Sequence, residues 1–305
     1  MDLIQCYVLI GFCICFFLIG VFGNIISIVI FARKEFIKQP ATVYLILSSI
    51  VNLIILLYLP FMVMPDIWTQ LAAETISCQL FGGFVVILTE IRSWIYSIGS
   101  LDRCITTVAP FKFQFKNKLK FQLALIIICA IILILLCVPF ITYYREYNSE
   151  SENKTVCLLP QTIEFSWVII YFKFQFGLFR TVLPFIVTLL ASIITAYKIC
   201  SSKLNLNDRD WKSMEKEIQF AKTLIMMDIL FIITRIPTLI NIAFQSSMLF
   251  LYTFLYSSFI LFSALHNAFS FLIFIIFNKI YRRLFKKLLF RRYRHKKTLV
   301  NRQLK

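Results

Sequence analysis

The chain predicts an all-α membrane protein, a bundle of seven spanning helices followed by a short amphipathic eighth helix. Three observations carry that prediction. The chain is 60% hydrophobic, with 33 Phe and only 7 Gly in 305 residues, whereas soluble domains average about 45–50% apolar. Its apolar residues gather into seven runs, each long enough to cross about 30 Å of hydrocarbon at about 1.5 Å per residue. Its Lys and Arg fall in the gaps between those runs and do not form a patch interleaved with polar surface. The formal net charge of +17 therefore reflects membrane topology, and no nucleic-acid partner is expected.

The runs lie at roughly 4–32, 42–66, 78–110, 121–144, 168–200, 218–245 and 249–277, close to the minimum of about 20 residues or beyond it. Each is expected to be helical, because a segment in lipid must satisfy its own backbone hydrogen bonds. The first follows Met1-Asp2, which offers no basic n-region, and is too long for a signal peptide, so it reads as an uncleaved signal anchor. The third and fifth exceed what a bilayer needs and imply tilt or extension into water. No repeat, low-complexity tract or linker divides residues 1–305, and one domain is expected.

Orientation follows from charge. The gaps 33–41, 111–120 and 201–217 and the tail from Lys279 carry most of the Lys and Arg, whereas 67–77 and 246–248 carry none. The N-terminus is therefore expected outside the cell and the basic gaps inside. The gap 145–164 mixes Glu146, Glu150, Glu152 and Glu164 with Arg145 and Lys154 and suits an exterior loop. The tail 278–290 sets Ile280, Tyr281, Leu284, Phe285, Leu288 and Leu289 against Lys279, Arg282, Arg283, Lys286 and Lys287, a basic amphipathic helix for lying on inner-leaflet lipid.

Of nine cysteines, seven lie in or beside apolar runs, where a small polarizable side chain is ordinary filler. Cys78, opening the third run, and Cys157, in the 145–167 loop, lie on the expected exterior, where they are free thiols or disulfide-bonded. Beside Cys157 stands Asn153-Lys154-Thr155, an N-glycosylation sequon on the side where it can be used.

Asp102-Arg103 closes the third run 25 residues after Cys78 and is followed by Thr106-Thr107-Val108-Ala109-Pro110-Phe111. Gly23-Asn24 stands in run one, Pro184 in run five, and Phe231 with Pro237 in run six. Leu265 to Phe274, then Phe277-Asn278-Lys279, ends run seven. In this register the chain resembles the rhodopsin-like G-protein-coupled receptors over nearly its whole length. The resemblance implies a Cys78–Cys157 bridge, a cytoplasmic ionic lock between Arg103 and Glu217, and a core switch around Asn24, Asn52, Pro184, Phe231, Pro237, Ser270 and Phe274.

The chain also departs from that family's pattern. Asn52 stands for the usual Asp of span two, Arg235 for the Trp before Pro237, and Ser270 to Phe274 for Asn-Pro-x-x-Tyr. Cys104 follows Asp-Arg, and Ser192 replaces the usual Tyr of span five. These changes leave the fold untouched but detach a sodium site near Asn52 and the usual activation switches from what the resemblance implies. Val85 stands where amine receptors of the family carry Asp, and Ala264 where opsins carry the retinal Lys. A peptide, a lipid or a small chemical remains as the ligand class.

Five charged residues fall inside the runs: Glu90, Arg92, Arg180, Asp228 and Arg235. Each costs roughly 2.5–3.5 kcal/mol at mid-bilayer, so they are expected to face the bundle interior and find partners. Arg92 and Arg103 are 11 residues apart, as are Glu217 and Asp228, so each pair shares a helix face at about 100° per residue. Stepping equally up two antiparallel helices from Arg103–Glu217 predicts a buried Arg92–Asp228 ion pair. Two such pairs leave one Arg over, to meet His266, backbone carbonyls, or an anionic ligand group suited to a guanidinium.

The expected function is a plasma-membrane receptor that passes binding of an extracellular peptide or small chemical, anionic if it meets the spare Arg, to a heterotrimeric G protein. The rival is a seven-span channel or carrier with the buried charges along its path, against which stands the lack of repeats. No enzyme, metal site or cofactor is expected: His266 and His295 are the only histidines, and no nucleophile motif is present.

Overall fold

A computed structural model describes residues 3–37, 42–63, 78–108, 118–143, 145–149, 154–158, 170–171, 174–204, 208–244 and 253–289. Seven long helices follow one another: α1 (Leu3–Phe31), α2 (Thr42–Val63), α3 (Cys78–Val108), α4 (Lys118–Tyr143), α5 (Leu183–Leu204), α6 (Asp208–Phe244) and α7 (Thr253–Phe277). A short helix Lys34–Ile37 follows α1, and α8 covers residues 279–289. Helices α1 to α5 and α7 contain stretches long and apolar enough to span a membrane. Helix α6 carries Lys222, Asp228 and Arg235 along its inner part.

Packing places α3 at the centre, against α2, α4 and α5 with a lighter contact on α6, while α7 packs on α1, α2 and α6. The outward faces of the helices are apolar, as lipid-facing surfaces must be; Ile127, Ile128, Ile131, Ile132 and Leu135 form such a face on α4. Close approach of α1 and α7 depends on Gly23, where an added methyl would enter the Phe271 ring. Asn24 then ties the two together, donating from Nδ2 to Gly20 O (2.7 Å) and Asn267 O (2.9 Å), and accepting from Asn52 Nδ2 (3.3 Å). The half of the bundle next to α8 is an aromatic core in which Phe31, Phe36, Phe274 and Tyr281 meet in edge-on and tilted contacts.

Three features add to the sequence reading. The loop after α4 holds a two-stranded antiparallel hairpin, β1 (Arg145–Ser149) with β2 (Lys154–Leu158), in which Glu146 faces Cys157. Helix α5 is entered through a π-helix, Gln175–Val182, closed by Leu183 N–H donating to Leu178 O. The wider turn suits Pro184, which has no N–H and would crowd the preceding turn of an α-helix. Helix α6 begins at Asp208, ten residues before the apolar run, because a helix in water needs no apolar side chains to satisfy its backbone.

Asn278 starts α8: its Oδ1 accepts Tyr281 N–H at 2.9 Å as an N-cap does. Tyr281 shares a 2.8 Å hydrogen bond with Ser27 Oγ and is fully buried; that burial pushes its phenol up from the ordinary value. Lys279, Arg282, Arg283, Lys286 and Lys287 lie on the exposed side.

Candidate functional site

Charged and polar side chains of α3, α5, α6 and α7 form three layers through the bundle. Near the C-terminal end of α3, Asp102 accepts a hydrogen bond from Gln122 Nε2 of α4 at 3.0 Å. Gln122 is 1% exposed and was not singled out from sequence, although a lone amide in the apolar run of span four is a signal for an interhelical bond. Arg103 lies over the Phe220 ring of α6, its Cζ 5.0 Å from the centroid, in a cation–π contact, and its charge acts on Asp228. Glu217 is on α6 one turn before Phe220, and its side chain lies outside the described residues. So do the side chains of Cys78 and Cys157, and Asn153 altogether.

The next layer centres on Asp228, whose carboxylate accepts from Ser100 Oγ of α3 at 2.9 Å and from Ser192 Oγ of α5. Ser192 thus joins α5 to α6 through a hydroxyl. Above it, Arg235 Nη2 donates to Ser93 Oγ at 3.0 Å, and Arg92 Nη1 donates to Asn267 Oδ1. The Arg92–Asp228 pair expected from sequence is not what these contacts form. Asp228 meets Ser100, eight residues after Arg92 on α3, or about 12 Å along the helix. Seven residues further up each helix, Arg235 meets Ser93. The α3–α6 register is therefore displaced by eight residues from the one that equal steps from Arg103–Glu217 imply. Arg103 meets α6 at Phe220, out of line with the Asp228–Ser100 register.

The same middle layer holds Phe231, the aromatic residue expected in a core switch. Tyr96 stacks on Phe231 (5.7 Å) and meets His266 edge-on (4.6 Å), while Phe231 meets His266 at 5.6 Å and lies under Arg235 at 5.2 Å. Among the other expected switch residues, Asn24, Asn52 and Phe274 are buried, Ser270 lies on α7, and Pro184 O accepts from Ser97 Oγ at 3.0 Å. Pro237 lies within α6.

The third layer joins α3, α4 and the π-helix. Gln175 Nε2 donates to Cys137 Sγ (3.3 Å), and the thiol donates to Glu90 Oε2 (3.4 Å). Glu90 is fully buried, and Arg180 acts on it as a favourable charge. The widened turn also frees Phe179 O to accept Trp94 Nε1–H at 3.1 Å.

A helical membrane bundle with a charged seam from α3 to α6 and an amphipathic helix after α7 is the build of a multi-pass membrane receptor. The model of the 7 transmembrane receptor (rhodopsin family) matches residues 23–277, and the chain belongs to that family; it is a receptor and not an enzyme. It is similar to the N-arachidonyl glycine receptor of Bos taurus, 22% identical over 213 residues, 70% of this chain and 63% of that one. The human N-arachidonyl glycine receptor is 27% identical over 145 residues, covering 47% and 43%. The type-1 angiotensin II receptor B of Rattus norvegicus is 25% identical over 216 residues, covering 68% and 54%. The matched part spans less than two thirds of each relative's length.

Proposed function

We propose that the chain is a G-protein-coupled receptor whose N-terminus lies outside the plasma membrane, and that it converts binding of an extracellular ligand into activation of a heterotrimeric G protein. The observation that carries this reading is Arg103 on the Phe220 ring, a contact between α3 and α6 at the basic, cytoplasmic end. Outward movement of α6 breaks it and frees the guanidinium to line a docking cavity. Ligand binding favours the open form only as far as the ligand binds that form more tightly. Glu217, one turn from Phe220, adds the acid of an ionic lock, and the Cys78–Cys157 bridge would fasten the exterior hairpin to α3. The ligand is a peptide or small chemical with an anionic group. One relative's name supports the anionic group, since it names an acylated glycine, which is a carboxylate.

The test is nucleotide exchange on a panel of purified G proteins by the full chain in lipid discs. Glu217→Arg is expected to raise ligand-free exchange at unchanged protein level. No exchange with any G protein, together with an ion current from the same discs, would replace the receptor reading by the channel one.

A further inference from the structure

The buried charges of the middle layer do not cancel. Asp228 is engaged by Ser100, Ser192 and the charge of Arg103, and Glu90 by Cys137 and the charge of Arg180. Arg92 and Arg235 are 2% and 3% exposed and repel one another. Their hydrogen-bond partners, Asn267 and Ser93, are both neutral. The Nε of each arginine, and both ring nitrogens of the fully buried His266, have no hydrogen-bond partner among the described residues. The three side chains converge on one place. Arg235 and His266 both lie against the Phe231 ring, Arg92 bonds the residue next to His266, and both guanidiniums act electrostatically on His266.

Two like charges held dry beside unfilled N–H donors are strongly unfavourable unless a counter-charge joins them. The two guanidiniums repel a cation from that place. Guanidinium N–H groups match a carboxylate or another compact monoanion, and a neutral imidazole adds a donor from whichever nitrogen carries its hydrogen. We propose that Arg92, Arg235 and His266 form a monoanion seat, filled by chloride or by a carboxylate group, that ties α3, α6 and α7 together at mid-bundle. The seat stands independently of what the cytoplasmic end couples to; only its use by a ligand's carboxylate rests on the receptor reading.

The experiment is thermal unfolding of the full chain in lipid discs. Sodium chloride or sodium formate is titrated against sodium gluconate at constant sodium. The expected result is a saturable rise in Tm of roughly 3 °C with chloride, formate or both, lost in Arg235→Met and Arg92→Gln and kept in Arg282→Gln on α8. A rise with chloride alone assigns the seat to the inorganic ion, and a stronger one with formate assigns it to a carboxylate. Should the arginine variants not fold, His266→Phe keeps the ring packing and is expected to raise the half-saturating concentration about tenfold. A flat titration, a rise that survives in both arginine variants, or an unmoved midpoint in His266→Phe overturns the seat. None of these bears on nucleotide exchange, so the receptor reading stands or falls separately.

Discussion

Arginine meets an aromatic ring of α6 at two levels of this bundle, and the two meetings differ in kind. At the level nearer the C-terminal end of α3 the guanidinium comes from α3 and the ring from α6, so Arg103 on Phe220 joins two helices. In the middle both come from α6, and Arg235 on Phe231 only braces one helix against itself. What joins α3 to α6 there is the Arg235–Ser93 hydrogen bond, with the Asp228–Ser100 bond one layer below. Of the first contact, Arg103 is partly exposed although Phe220 is buried, so when the two part the guanidinium can turn to water. The middle contacts are dry, and parting them strands a charge. An α6 that swings at its N-terminal end about a fixed middle is the motion this difference favours.

The comparison is broken most severely at Asp228, which lies between the two levels. Asp228→Ala removes the acceptor of Ser100 and Ser192 and the counter-charge of Arg103, and is expected to cost about 3 kcal/mol. Thermal unfolding and surface expression check it, and an unchanged Tm would show that α3, α5 and α6 are not joined through this carboxylate. Asn267→Leu takes away the acceptor of Arg92 and is expected to cost about 2 kcal/mol, read in the same way. At the cytoplasmic end, Asn278→Ala removes the cap of α8 and is expected to cost about 1 kcal/mol. It shows as faster amide exchange confined to residues 279–289.

The fold class was legible because spans must be long and apolar. Asn24 was legible as a motif, and the structure supplies its reason in three interhelical and intrahelical bonds. The α3–α6 register was not. Helical rise says which residues share a face, but which of them meet across two helices depends on how the helices cross, and equal steps missed by eight residues. The pairing of charges failed with it: where one spare arginine was expected, Arg92 and Arg235 both hold neutral partners. The π-helix left only Pro184 as a trace in the sequence. The polar start of α6 and the β-hairpin left none, because hydropathy reports burial in lipid and both lie outside the apolar runs.

The hinge between the two levels is tested most directly by comparing Phe220→Ala with Phe231→Ala. The measurement is ligand-free nucleotide exchange per folded receptor. Loss of the interhelical ring at Phe220 is expected to raise exchange about fivefold, for a cation–π contact of about 1 kcal/mol, whereas loss of Phe231 lowers stability and leaves exchange per folded receptor unraised. Equal exchange in Phe220→Ala and the parent, or a rise in Phe231→Ala alone, would contradict a cytoplasmic α3–α6 contact that holds the resting state.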